Sequence, residues 1–210
     1  MSIENRSLPS NPKHRHEPLN SAVKSVRLLE VLSNHAFEPI RCRLVQQNLD
    51  TNPSYIALSY TWDQKNARRR HIECDGMDLI IGENLWQFLA EFRKKQFLQQ
   101  YHHQEPRNRA CRLWIDAICI NQTDVMERNQ QVALMRDIYT KAESVIVWLG
   151  LVQGHEELAF VLTRHPNLVG VEKHCSELLN LLSKPYFTRV WVSCPLDIHR
   201  EPELTSTTSK

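Results

Sequence analysis

With 210 residues, 41% hydrophobic and 24% charged, the chain has room for one domain with tails and enough apolar material for a core, which excludes wholesale disorder. Twenty-six basic against 24 acidic side chains leave a net charge of +2, without the concentrated basic face that nucleic acid or an anionic membrane requires. The six cysteines include no CxxC pair, the polar amino terminus has no apolar h-region, and no apolar run reaches membrane-spanning length; these features point to a reducing, cytoplasmic setting with free thiols.

Residues 1–22 are rich in Ser, Asn, Pro and His and offer no apolar face, so they read as a disordered leader. Val26, Leu28, Leu29 and Val31 suggest a first strand, and Ile40, Cys42 and Leu44 alternate with Arg41 and Arg43 as in a half-buried second. Tyr55 to Trp62 is nearly continuous in apolar and aromatic residues, which suits a central strand covered on both faces. His71–Cys74 and Met77–Ile81 flank Asp75-Gly76, a pair that supplies the positive φ angles of a tight hairpin turn. The adjacent Arg68-Arg69-Arg70 reads as a solvated turn.

Leu85, Phe88, Leu89 and Phe92 fall at helical spacing and predict a helix over 83–98, followed by an exposed polar loop over 99–109. Leu113 to Ile120 predicts a second buried strand. Asp124 with Glu127 three residues later resembles a capping box at the start of a helix over 124–142, with Val132, Met135, Ile138 or Tyr139, and Ala142 on its inner face. Ser144 to Leu149 predicts a third buried strand, stopped by Gly150, and weaker helical patterns follow near 155–164 and 174–183. Strands alternating with helices imply crossover connections. The expected fold is therefore α/β: a mixed, largely parallel central sheet with helices on both faces, plus an inserted β-hairpin.

The motifs Tyr55-x-Ala57-Leu58-Ser59-Tyr60-x-Trp62, Leu113-Trp114-Ile115-Asp116-Ala117-x-Cys119-Ile120-Asn121-Gln122-x-Asp124, Glu127-Arg128-x-x-Gln131 and Val145-x-Val147-Trp148-Leu149-Gly150 resemble the HET (heterokaryon incompatibility) domain of filamentous fungi. The resemblance covers roughly residues 26–192, so the domain reads as 23–192, incomplete at its carboxyl end, with 193–210 as a disordered or aberrant tail. It implies a module of self/non-self recognition and programmed cell-death signalling, acting by association with itself or with protein partners. Two departures stand out. Asp63 occupies a place where the family usually has glycine, which would strain the turn if a positive φ were needed. Ser193-Cys194-Pro195 follows Val192 where members commonly continue with Gln-Glu.

HET domains are in turn similar to the Toll/interleukin-1-receptor (TIR) fold, some members of which cleave NAD with a glutamate after a strand–loop–aromatic motif. That resemblance implies an alternative reading as a TIR-like NAD hydrolase, or an inactive fragment of one. The matching carboxylate would follow Trp191-Val192 and is missing, which turns the expectation away from an enzyme; NAD stays as a ligand reading only.

The candidate crevice residues are Ser59, Tyr60, Trp62, Asp116, Asn121, Gln122, Asp124 and Glu127. Asp116 ends a buried segment, where open α/β sheets place ligands, yet an aspartate there equally caps a loop. Asn121, Gln122 and Asp124 could face a ribose or cap the next helix. Ser59 and Tyr60 could line the crevice or serve as a strand hydroxyl and a core aromatic. Trp62, Trp114, Trp148 and Trp191 read as core or sheet-edge packing, and Cys119 as a small buried hydrophobe in place of a nucleophile. No HExxH or Cys/His metal spacing is present, so no metal site is expected, and no Walker, GxGxxG or GxSxG motif appears.

Overall fold

The computed structural model describes residues 12–32, 38–64, 66–102, 111–151 and 203–205. The helical patterns near 155–164 and 174–183, Trp191, and the Ser193 departure lie outside the described residues.

Among the described residues, eight strands form one mixed sheet in the order β5-β4-β2-β1-β6-β3-β7-β8. The first two, β1 (Ser25–Leu32) and β2 (Arg41–Asn48), pair antiparallel along their whole length. After a single 3-10 turn comes β3 (Ile56–Tyr60), then the hairpin of β4 (Arg69–Cys74) and β5 (Met77–Gly82). Asp75 and Gly76 have φ of 52° and 74°, the two left-handed positions that the Asp-Gly pair was expected to supply. The hairpin joins the sheet by parallel pairing of β4 with β2.

The three oily segments lie side by side. β6 (Arg112–Trp114) and β7 (Ser144–Trp148) flank β3, both parallel to it, and the three-residue β8 (Glu203–Thr205) adds parallel to β7. Against β1, however, β6 makes only two antiparallel pairings, Leu29 with Leu113 and Glu30 with Arg112. The buried Glu30 carboxylate spans that short junction, accepting from Arg43 Nε of β2 at 2.5 Å and from Arg112 Nε of β6 at 2.9 Å. Burial alone would push Glu30 up, but the two guanidiniums outweigh it and hold the carboxyl below its ordinary range.

Helices cover both faces. Register pairs Ala57 with Trp114 and Tyr60 with Trp148, and side chains alternate along β3, so Trp114 and Trp148 point to opposite faces. Trp148 meets Phe88 of α1 (Glu83–His102) edge-on, with centroids 5.7 Å apart. Trp114 meets Tyr139 of α3 (Val125–Lys141) in the same manner at 5.5 Å. In α1 the buried Leu85, Phe88 and Leu89 follow the helical spacing read from the sequence, and the helix continues through Gln99–His102, where a loop was expected.

Three expectations are corrected. The apolar run 113–120 is not one strand: β6 stops at Trp114, and Asp116–Cys119 form a short helix, α2. Ile115, Ile118 and Cys119 are buried at i, i+3 and i+4, a spacing that a short continuous apolar run cannot distinguish from a strand. Val132 is 45% exposed, but Ile138 and Ala142 are buried and Met135 and Tyr139 pack on the core as expected, joined on the inner face of α3 by the buried Glu127 and Gln131. Trp62, read as core or sheet-edge packing, is 46% exposed, which removes the core half of that reading.

The leader is engaged from Pro12 onward. His14 N donates to Asp78 O at 2.8 Å and Asp78 N to Pro12 O at 2.9 Å, laying this segment against β5.

Candidate functional site

Because β3, β6 and β7 run parallel, their carboxyl ends emerge at one edge, where open α/β sheets bind ligands. Trp62 follows β3 and Asp116 follows β6, and the edge brings them together. The Trp62 indole N–H lies 3.1 Å from each Asp116 carboxylate oxygen. Asp116 Oδ1 also accepts from the Ala117 amide at 2.7 Å, within the first turn of α2. Gln122 Nε2 donates to the Asp116 carbonyl at 2.8 Å and ties the following loop to the same point.

The third strand end is joined through a residue that sequence reasoning missed. Asn84, in the first turn of α1, donates from Nδ2 to Thr61 O at 2.8 Å and accepts from Trp148 Nε1 at 2.8 Å, linking the ends of β3 and β7. Its own amide donates to the Asp63 carboxylate at 3.2 Å. Asp63 therefore caps α1, and its φ is not positive, so the strain expected of a non-glycine residue is absent. The carboxylate uses the space beside Gly82: a Cβ at Gly82 would lie 2.0 Å from Asp63 Oδ2.

Ser59 and Tyr60 precede this edge within β3. As neighbours in β3 they face opposite sides of the sheet, Ser59 half-buried and Tyr60 buried, and both are engaged within the fold.

Asn121, Asp124 and Glu127 belong to a second constellation. Asp124 Oδ1 accepts from the Met126 and Glu127 amides at 2.9 and 3.1 Å, a helix N-cap. Only half of the expected capping box forms, since Glu127 does not return to the Asp124 amide. Its Oε1 accepts from the Asn121 amide at 2.7 Å and from Arg27 Nη1 at 2.6 Å, while Oε2 accepts from Arg27 Nη2 at 2.9 Å. Arg27, in the middle of β1 and 2% exposed, also donates to Cys119 O at 3.0 Å and to Glu17 O. Burial favours the neutral Glu127, but Arg27 and the Asn121 amide prevail and keep its carboxyl below the ordinary range. Gln131 Nε2 adds a bond to Ser25 O at 2.9 Å, and Asn121 Oδ1 accepts from Thr123 Oγ1 at 2.7 Å.

This constellation pins the loop 119–127, α3 and the leader to β1. Its sequence signal was a pair of charges inside an apolar strand, Val26-Arg27-Leu28-Leu29-Glu30-Val31. Cys119 lies beneath it, fully buried, its sulfur accepting from the Ile115 amide at 3.3 Å and its thiol pushed up to about 12 by burial. That environment suits packing and not nucleophilic attack.

A family profile described as "Heterokaryon incompatibility protein (HET)" matches residues 55–193, from the residue before β3 through both constellations. The chain belongs to the HET family. Strands β1 and β2, read from the sequence as part of the resemblance, lie ahead of the HET match, although Arg27 of β1 completes the HET loop by pairing with Glu127. The chain is 37% identical over 134 residues to Heterokaryon incompatibility protein 6, OR allele, of Neurospora crassa, an alignment covering 60% of this chain and 18% of that relative. The chain thus matches less than a fifth of the length of this curated HET relative. No solved structure matches. Among the described residues, no helix is long and apolar enough to cross a membrane.

Proposed function

We propose that this HET domain acts in fungal self/non-self recognition and cell-death signalling by protein–protein association, at its carboxyl sheet edge and the adjoining first turn of α3. One observation carries the reading. The polar groups that a nucleotide would need are committed to one another: Asp116 to Trp62 and Ala117, Asn84 to Trp148 and Thr61, Gln122 to the Asp116 carbonyl, Asp124 to the amides of α3. Large apolar side chains are among those that face outward. Trp62, Val125, Met126 and Val132 are 46%, 54%, 70% and 45% exposed. Exposed aromatic and methionine side chains on a pinned framework suit a docking surface better than a reaction site.

The test is sedimentation of the purified chain over a wide concentration range, alone and with NAD, while following nicotinamide release. Concentration-dependent assembly that Trp62→Ala or Met126→Asp weakens, without nicotinamide release, supports association. Nicotinamide release abolished by Asp116→Ala would replace this reading with the NAD-hydrolase one.

A further inference from the structure

We propose that His14, Cys74 and Asp75 form a binding site for a divalent transition-metal cation of the zinc class, joining the leader to the hairpin. The three residues come from separate places for separate reasons. Pairing of Pro12–His14 with Asp78 carries the imidazole across β5. Cys74 ends β4 with its side chain buried, and the left-handed Asp75 that follows turns its carboxylate back toward the thiol. One potential ligand atom from each of the three lies within 4.8 Å of the other two.

The distances fit ligands of a single cation. His14 Nε2 is 3.3 Å from Asp75 Oδ2, and Cys74 Sγ is 3.6 Å from the same oxygen. An imidazole hydrogen bond to a carboxylate is ordinarily shorter, at about 2.7–2.9 Å when charge-assisted. Ligands of one tetrahedral zinc, with bonds of about 2.05 Å to nitrogen, 2.1 Å to oxygen and 2.3 Å to sulfur, sit about 3.4 Å apart for the nitrogen–oxygen pair and about 3.6 Å apart for the sulfur–oxygen pair. Both observed separations match.

A second observation is independent of these distances. The His14 side chain is 2% exposed, yet its Nδ1 is buried without a hydrogen-bond partner. Among the described residues, the ring's one polar contact is the 3.3 Å approach of Nε2 to Asp75. A cation held between them gives Nε2 a bond in its place, while Nδ1, on the far side of the ring, takes no part in the site. The supporting shell is also present. The Leu44 amide faces both Asp75 oxygens at 3.3 and 3.4 Å, orienting the carboxylate. Cys42, the register partner of Cys74 on β2, donates to the Glu73 carbonyl at 3.2 Å and also lies within hydrogen-bonding reach of the Cys74 thiol. On binding, the cation takes the place of the Cys74 thiol proton, which passes to solvent, so the sulfur ligates as thiolate. Spacing rules missed this site because its histidine lies sixty residues ahead of its cysteine.

The test is titration of the full, chelator-treated chain with Co²⁺, followed by absorption. The expected result is saturation near one equivalent with a thiolate-to-cobalt charge-transfer band. Cys74→Ser should abolish that band, His14→Ala should weaken binding at least tenfold, and Cys111→Ser should leave both unchanged. His14 lies outside the hydrophobic core, so His14→Ala stays informative even if Cys74→Ser fails to fold. A folded wild-type chain without a thiolate band, or a band retained at full strength and affinity in His14→Ala, overturns the proposal.

Discussion

Replacing Glu127 with alanine leaves the Arg27 guanidinium buried without its counter-charge. Arg27 is 2% exposed, and the carboxylate supplies two of its four hydrogen-bonded acceptor atoms, at 2.6 and 2.9 Å; the Cys119 and Glu17 carbonyls that remain are dipoles and carry no net charge. Removing one partner of such a pair costs about 3–5 kcal/mol, whereas replacing both by apolar residues of similar volume is often close to neutral. Here the double replacement also deprives the Asn121 amide and the Cys119 carbonyl of partners, adding about 1–3 kcal/mol for each group that water cannot reach. We therefore expect Glu127→Ala and Arg27→Met each to cost about 3–5 kcal/mol, and the double variant to cost less than their sum by at least about 2 kcal/mol. Urea unfolding with linear extrapolation measures all three, and a parallel thermal scan should show the singles melting about 6–20 °C lower. If either single variant costs under about 1 kcal/mol, or the two effects add, the pair behaves as an exposed bridge and the reasoning fails.

Trp114→Ala and Trp148→Ala should each cost about 3–5 kcal/mol, while Trp62→Ala, half out of the fold, should cost clearly less; equal losses in thermal unfolding would contradict the placement of Trp62 at an open edge. Gly82→Ala puts its methyl where Asp63 Oδ2 sits, so it should cost about 0.5–2 kcal/mol through loss of the α1 cap, and Asp63→Ala should add little to it; full additivity in urea unfolding would disprove that coupling. Acid should weaken the fold in two stages. Burial, with help from Arg27 and His14, holds the His16 imidazole below 6.5 despite its bond to the Ile118 carbonyl, so the unfolded chain takes up that proton first and stability falls as pH drops through and below that value. Glu30 and Glu127, both held below 4.5, contribute stability that is present above that pH and lost beneath it. A urea midpoint unchanged between about pH 7.5 and pH 4 would refute both assignments.

Much of the sheet was legible because its signals are local. Continuous apolar runs marked β3 and β7, Asp75-Gly76 marked the hairpin, and Leu85, Phe88 and Leu89 marked α1. The run 113–120 misled because three buried residues at helical spacing, embedded among other apolar residues, look like strand. The site was legible only in part. Asp116 and Trp62 were singled out separately, but nothing in the sequence says that parallel strand ends bring residues 54 positions apart within 3.1 Å. Arg27 and Glu30 went unnoticed because charges within a strand normally mean a solvent face, whereas here each is neutralised by a partner from a distant segment. Asn84 looked like an ordinary helix-start residue, and its link between two strand ends comes only from tertiary packing.

The two-pairing junction between β1 and β6 has a mechanical consequence. Two pairings each join β1 to β6, β2 to β4 and β3 to β6, whereas β1–β2, β4–β5 and β3–β7 are paired over five residues or more, and the Glu30 clasp spans the first of these short seams. Protein sheets open first where the fewest bonds must break at once. Slackening therefore starts at these short seams, β1–β6 among them, while the long-paired β1–β2, β4–β5 and β3–β7 pairs stay closed.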